Sequence, residues 1–374
     1  MIKVGIIGCG KIADAHAEQI GRIPWARIVG VCDRELLMAK QLADRFPVDA
    51  CFDDVDDLLR AASPDVVHIT TPPQSHFSLG KTCIAAGAHV YIEKPFTVNA
   101  QEAVELIDIA NQSDRKITVG HDYQFTHAKR MMRDLVSRDY LGGPPIHMES
   151  YHCYELGSES YARAVLGDRN HWVRSLPGTL MHNNISHGIG SIAEYLSADG
   201  LRVRAEGYRS ALLAKIGETD IIDEARVVVT DADGRSAYFT FSTQIRPVLH
   251  QLRLYGEKNA LIVDHDQQTC IRVSGRREKS YLEKFLPPLA LAREYATNSV
   301  RNMSLFLRND LHMKNGMKYL IEAFYRSILE HAELPIRYGE IITTAAIMDD
   351  IFAQVSARRT IPASRPETVA CPQD

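Results

Sequence analysis

Lys3-Val4-Gly5-Ile6-Ile7-Gly8-Cys9-Gly10-Lys11-Ile12-Ala13 opens the chain with a short apolar run that breaks into a G-x-G-x-x-A turn. The order is strand, glycine turn, helix. Gly8 allows a tight exit from the strand. Gly10 lets a pyrophosphate approach the backbone without meeting a Cβ, and Ala13 is small enough for the helix to sit close to the strand. The helix N-terminus then offers unpaired N–H groups to phosphates. A second apolar run, Arg27-Ile28-Val29-Gly30-Val31-Cys32, ends at Asp33, 23 residues past Gly10. An acid at about that spacing binds the adenosine ribose hydroxyls. Ile12, His16, Ile20 and Ile23 fall near helical spacing between the two runs. A dinucleotide is the expected ligand. Asp33 favours NAD because a carboxylate repels a 2′-phosphate, and Arg34 keeps NADP open.

The same alternation continues beyond Asp33. Helix-like Leu36 to Phe46 is followed by the acidic stretch Asp53 to Asp57, which suits a helix start. Asp65 to Thr70 reads as a buried strand ending at Thr71-Pro72-Pro73. Helix Phe77 to Ala86 stops at Gly87, and strand His89 to Ile92 leads into Glu93-Lys94-Pro95. Helix Ala100 to Asn111 and strand Lys116 to Val119 complete the series. This rhythm predicts a doubly wound parallel sheet, with ligands outside the carboxyl ends of its strands. Thr71, Pro72, Pro73 and His76, then Glu93 and Lys94, then His121 stand at such ends. With Gly8, Gly10, Lys11, Ile12, Asp33 and Arg34 they form the expected cofactor contacts. Lys94 follows a buried strand beside the nicotinamide end. A partly desolvated lysine has a lowered pKa and exchanges protons; the plainer alternative is a surface lysine paired with Glu93.

Composition narrows the partners. The chain has 374 residues and a net charge of −4, with no long basic run, so nucleic acid and anionic membrane are not expected. No apolar stretch approaches the ~20 residues of a membrane span, and no signal peptide is read at the N-terminus. Seven cysteines (9, 32, 51, 83, 153, 270, 371) form no C-x-x-C pair. They read as free thiols in a reducing cytoplasm.

Three segments together carry a resemblance: Gly8 to Ala13, Ile69-Thr70-Thr71-Pro72-Pro73-Gln74-Ser75-His76, and Ala86-Gly87-Ala88-His89-Val90-Tyr91-Ile92-Glu93-Lys94-Pro95. They resemble the Gfo/Idh/MocA family, the glucose–fructose oxidoreductase and inositol dehydrogenase group. The resemblance is close over residues 1–120 and traceable to about 357. It implies an α/β fold: an N-terminal Rossmann domain (1–122) and a C-terminal α/β domain (123–357) with a large open, mainly antiparallel sheet. The last helices would pack back on the Rossmann domain, and 358–374 would form a loose tail. It also implies NAD(P)-linked oxidation or reduction of a sugar, sugar nucleotide or cyclitol, and homodimers or homotetramers formed through that sheet.

The second half agrees with a sheet. Ala237, Phe239 and Phe241 alternate with Tyr238, Thr240 and Ser242, and Asp233-Gly234 is a hairpin signal after Arg226 to Val229. Further strands are read at Leu252 to Tyr255, Ala260 to Val263 and Ile271 to Val273, and amphipathic helices at Gly316 to Ala332 and Glu340 to Ser356. In the resemblance the catalytic segment is Pro177 to His187, where relatives read G-G-x-L-x-D-x-G-x-H. His187 matches the histidine; Asn183 stands at the aspartate and Ile185 at the glycine. Asparagine cannot accept a proton as a base, so proton transfer falls to His187 or Lys94. His187 also opens a helix in this reading and could instead cap or pack it. Lys94, Asn183 and His187 are the expected catalytic residues. Asp122, Tyr154, Trp172, Arg174 and His182 join them as candidate substrate contacts, with a packing role as the alternative for Trp172, Arg174 and His182. No histidine pair has metal-ligand spacing, and no metal is expected. The altered aspartate keeps open a redox-neutral reaction with tightly held NAD, giving epimerisation, elimination or glycoside cleavage. A non-catalytic NAD-binding sensor is the reading from another class. Residues 281–311, rich in Leu and Phe among basic residues, read as a lid, a subunit contact or an amphipathic surface helix.

Overall fold

A computed structural model describes residues 1–277, 279, 281–312 and 314–359. The expected tail therefore lies outside the described residues from 360 onward.

The first domain alternates β1 (Ile2–Ile7), α1 (Lys11–Gly21), β2 (Ala26–Cys32), α2 (Leu36–Arg45), β3 (Cys51–Phe52), α3 (Val55–Ala62), β4 (Val66–Ile69), α4 (His76–Ala85), β5 (His89–Ile92), α5 (Ala100–Gln112) and β6 (Ile117–Val119). The strands form one parallel sheet in the order β3-β2-β1-β4-β5-β6. Strands buried on both faces need continuous apolar runs, and Val66, Val67, Val90 and Ile92 are fully buried. The order reverses between β1 and β4, so the ligand crevice lies at the ends of those two strands. The acidic stretch caps α3: Asp54 accepts a hydrogen bond from the Asp57 N–H at 3.1 Å.

The second domain contains α6 (His127–Ser137), β7 (His147–His152), α7 (Glu159–Leu166), α8 (Thr179–Ala193), β8 (Arg202–Tyr208), α9 (Ala211–Lys215), β9 (Glu224–Thr230), β10 (Ser236–Ser242), β11 (His250–Tyr255), β12 (Asn259–Asp264) and β13 (Thr269–Ser274). Its sheet runs β13-β12-β11-β7-β10-β9-β8 and is antiparallel except for the β7–β10 pair. One face packs on α8 through Ile185, Ile189 and Ile192 against Phe239, Leu252 and Val227. The other face is open, with Tyr238 52% exposed.

Three helices close the chain: α10 (Leu286–Leu307), α11 (Asn315–Leu329) and α12 (Tyr338–Arg359). Leu320, Ile321, Phe324 and Tyr325 of α11 are buried in the core of the first domain. α12 places Ile341 in that core and Ile347, Ile351 and Phe352 in the second. One helix thus belongs to both cores and fixes the cleft between them. α8 departs from the sequence reading. It begins at Thr179, two turns before His187. Asn183-Asn184 and Ser186 are weak helix formers and hide those turns; burial of Leu180, Met181 and Ile185 outweighs their propensity. His187 therefore sits inside a buried helix and does not open one.

Candidate active site

Gly8 adopts φ +93°, and a Cβ there would lie 2.9 Å from the Thr71 backbone nitrogen. That position requires glycine for the fold. Gly10 differs: a Cβ on it would meet nothing within 4 Å. Its lack of a side chain serves whatever approaches the loop from outside. Gly10 is also the N-cap of α1 and contributes no side-chain cap; the Ala13 N–H donates to the Gly10 carbonyl, which leaves the N–H groups of Lys11 and Ile12 to face an anion. Asp33 accepts from the Cys9 N–H at 2.7 Å and the Glu35 N–H at 3.0 Å, which fixes its carboxylate at the end of β2. Gly8, Gly10, Asp33, Arg34, Thr71, Pro72 and Trp172 are among the walls of a groove of about 630 Å³. These features fit a dinucleotide. Gly10→Val should therefore leave the melting temperature within about 2 °C, while weakening NAD binding at least about tenfold, since each tenfold is only ~1.4 kcal/mol. Calorimetric titration and a melt on the same preparation check both halves.

Beside the groove stands a charged cluster. Lys94 follows β5 across a cis bond to Pro95. Its Nζ donates to the backbone carbonyl of Asn183 on α8 at 2.9 Å. Burial pulls the Lys94 ammonium below its ordinary range, against the opposing pull of Glu93 and Asp122. His187 Nδ1 lies 3.7 Å from Asp122 Oδ1, too long for a hydrogen bond but close enough for the carboxylate to favour an imidazolium. Burial and then Lys94 push His187 well below the histidine range, so its resting form is the neutral imidazole. Burial raises the Asp122 carboxyl, opposed by Lys314, whose Nζ is 3.8 Å from Asp122 Oδ2. Asp122 and Lys314 also line a pocket of about 360 Å³ with Tyr123, His265 and Gln267. The cluster thus offers a cation, a neutral base and a carboxylate at the lip of a second cavity.

The other candidates divide by place. His76 bonds the Thr71 carbonyl at 2.8 Å and the Pro95 carbonyl at 3.0 Å. It is buried and ties two strand-end turns together. Pro73 is buried in the turn before α4; Lys11 and Ile12 stand in the first turn of α1. Glu93 is buried too, accepting from His16 at 2.8 Å and from the Lys94 N–H at 3.1 Å; it orients the lysine's backbone. His121 is buried beside Gly190 of α8. Trp172 lies in the wall of the dinucleotide groove rather than with His187; Gln74 bonds its carbonyl at 2.9 Å. Arg174 is held by Glu218 at 2.7 Å and by the Leu166 carbonyl. Tyr154 contacts Tyr161 at 3.3 Å, and His182 stacks on Phe352 at 4.6 Å. Arg174 and Tyr154 are thus engaged by partners of their own, whereas His182 also lines a small cavity with Pro95 and His121.

Sequence reasoning missed Lys314, His250 and His265. The last two surround Tyr123 with His152 and His187, at ring separations of 4.8–5.7 Å. The signal for His250 is sheet register, which sets it opposite His152. No spacing in the sequence announces Lys314, because it arrives from the loop before α11. Buried histidines also couple this region to acid stability. Burial holds His121 and His182 at about 4 and His265 at about 3. An unfolded histidine binds its proton near pH 6.5, so between 6.5 and 4 the unfolded chain takes up protons that the folded chain refuses. Stability should fall as pH drops through that window, by at most about 3 kcal/mol for a histidine such as His121. Urea midpoints at pH 7.0 and 5.0 test this; an equal or higher midpoint at pH 5.0 contradicts it.

The geometry agrees with comparisons to known proteins. Residues 2–121 match the model of an oxidoreductase family with an NAD-binding Rossmann fold, GFO_IDH_MocA. The D-glucoside 3-dehydrogenase of Escherichia coli is 30% identical over 142 residues, 38% of this chain and 40% of that protein. The myo-inositol 2-dehydrogenase of Thermotoga maritima is 22% identical over 314 residues, 82% of this chain and 88% of that one. The WlbA dehydrogenase of Bordetella pertussis, solved with NADH and UDP-GlcNAcA, is 14% identical and superposes with a TM-score of 0.73 over 96% of each chain. That last likeness concerns the fold alone.

Proposed function

Through its nucleotide domain this chain belongs to the Gfo/Idh/MocA family of NAD-binding oxidoreductases, and from that premise we propose a dehydrogenase acting on a secondary hydroxyl of a sugar, sugar nucleotide or cyclitol. Residues 1–122 would hold the cofactor and 123–357 the substrate. The observation that carries this reading is the meeting of Lys94, His187 and Asp122 beside the glycine groove.

Bound NAD supplies the hydride acceptor or donor. The residues handle the proton. His187 turns Nδ1 toward Asp122, which leaves Nε2 free for the substrate hydroxyl. Neutral imidazole accepts the hydroxyl proton, and Asp122 stabilises the imidazolium that forms. Lys94, fixed by the Asn183 carbonyl, presents its ammonium to the oxygen as negative charge develops there. That contact uses the backbone of Asn183, so the missing aspartate side chain does not disturb it. Asp122, from the end of β6, supplies the carboxylate that relatives carry on the segment corresponding to α8. Fixed on both oxygens by backbone N–H groups, the Asp33 carboxylate favours NAD over NADP. Association through the open sheet face and a reducing, cytoplasmic setting complete the reading; Cys9, Cys32, Cys83 and Cys153 are buried free thiols.

The test is near-ultraviolet absorbance of reduced cofactor when purified protein meets NAD or NADP with sugars, sugar nucleotides and inositols. Stoichiometric NADH from one of these classes, faster with NAD, is the expected result. No reduction with any of them counts against the reading. Asn183 favours one rival, transient oxidation that returns the hydride to the product. Hydrogen isotope exchange into a sugar without NADH accumulation would select it.

A further inference from the structure

The feature that the reaction leaves unexplained is α10. Its inner side is polar and grips the sheet edge. Glu294 pairs with Arg272 at 2.6 Å. Asn298 accepts from the Cys270 N–H at 2.9 Å and donates to the Cys270 carbonyl at 3.1 Å. Asn302 donates to the Gln267 carbonyl at 2.8 Å. These contacts cover the outer edge of β13, which would otherwise offer unpaired backbone groups. The apolar residues point the other way. Asn298 is the single buried residue of the helix, while Leu289 is 66% exposed, Val300 71%, Met303 61% and Leu307 77%. An inverted helix of this kind, polar inward and apolar outward, has an apolar face that water alone does not explain.

The outward stripe has a regular order. From Leu286 it runs through Leu289, Arg293, Ala296, Val300 and Met303 to Leu307, in alternating steps of three and four. That is the spacing of a helix–helix seam. The stripe also reads nearly the same in reverse about Ala296. Laid antiparallel on a copy of itself, Leu286 meets Leu307, Leu289 meets Met303, Arg293 meets Val300, and Ala296 meets Ala296. The smallest side chain falls on the two-fold axis, where two helices approach most closely, and a self-complementary patch is what a two-fold interface requires. Phe285 and Phe306, 63% and 64% exposed, flank the two ends. The open apolar side chains offer on the order of 800 Å² per copy, the area that a specific dimer buries on each side. A membrane surface fits less well: α10 has two basic residues, Arg293 and Arg301, Arg301 is bound to the Gln268 carbonyl, and the polar face is occupied by the sheet edge rather than free for lipid headgroups.

We propose that α10 pairs antiparallel with α10 of a second copy of this chain, across a two-fold axis at Ala296. This contact is separate from the open face of the second sheet. The test uses the full-length protein. Ala296→Cys should form a disulfide-linked dimer under mild oxidation, and Val300→Cys should not, because Val300 faces Arg293 and not its own counterpart. The wild-type chain, with its own cysteines, is the control. Independently, Leu289→Glu combined with Met303→Glu should halve the mass of the largest species seen by sedimentation velocity, with NAD affinity unchanged. Equal crosslinking of the two cysteine variants, together with an unchanged mass of the double variant, overturns the proposal. So does co-sedimentation with phosphatidylglycerol vesicles that the double variant loses without any change in mass, which would assign the face to a membrane.

Discussion

Lys94→Ala is expected to lower kcat by about a thousandfold while NAD still binds within about twofold of the parent. The reasoning is positional. Lys94 reaches across the cleft to the Asn183 carbonyl at 2.9 Å, so its ammonium is anchored by the second domain rather than by the glycine loop. Gly8, Gly10 and Asp33, the residues proposed to hold the dinucleotide, line a groove whose walls do not include Lys94. Losing the cation removes a charge aimed at the substrate oxygen in a partly dry site, and one such donor is worth about 10²–10³ in rate. The fall should lie at the upper end of that range, because the ammonium is buried. Lys94→Arg should recover little, since a planar fork cannot take the place of a compact ammonium at this carbonyl. Stopped-flow turnover and calorimetric NAD binding on one preparation decide the matter. A variant that turns over within tenfold of the parent would remove Lys94 from the chemistry; one that loses NAD as well would make it structural.

How much of this was legible beforehand follows from the range of the interactions. In the first domain the elements expected from the sequence match the structure to within a residue or two, apart from the two-residue strand β3, which has no sequence signal. Those elements depend on local signals: an apolar run, a glycine turn, a capping aspartate, an apolar strand. β5 falls at the expected His89 to Ile92 and α5 begins at Ala100 as read. The cleft residues were legible only where a strand end or a motif named them. Lys94 is legible from its place after a buried strand, and His187 through the family resemblance. Lys314 is not, because it owes its place to the packing of α11 on the first core, some 220 residues from Lys94 in sequence. The same limit applies to Asp122. Its sequence neighbourhood shows a carboxylate after a strand, but its partnership with His187 depends on α8 crossing the end of β6. The start of α8 is not legible for a related reason, since Asn183, Asn184 and Ser186 are ordered by burial and not by helix propensity. The pairing of Arg174 with Glu218 is not legible either, because its partner lies 44 residues on with nothing in the sequence to join them.

His187→Asn should lower turnover by about 10³-fold and also remove the acid limb of the pH–rate profile. In the oxidative direction the histidine must begin neutral. Its folded pKa lies well below the usual 6.5 because burial and Lys94 oppose the imidazolium. Activity should therefore rise with pH through a limb centred below 6.5 and stay high at neutrality; a limb above 6.5 would contradict the burial argument. The alkaline limb belongs to Lys94, whose ammonium is needed and whose pKa is lowered from 10.5. Asp122→Asn gives the sharper test, because it removes one negative charge that faces both groups. The imidazolium loses its stabilising carboxylate, and Lys94 loses an acid that raises its pKa. Both limbs should then move to lower pH, with kcat reduced about 10–100-fold as the base weakens. A structural role for Asp122 would change stability and leave the limbs in place. If the limbs do not move, Asp122 does not stand in for the missing aspartate, and the transient-oxidation reading regains the argument that Asn183 gave it.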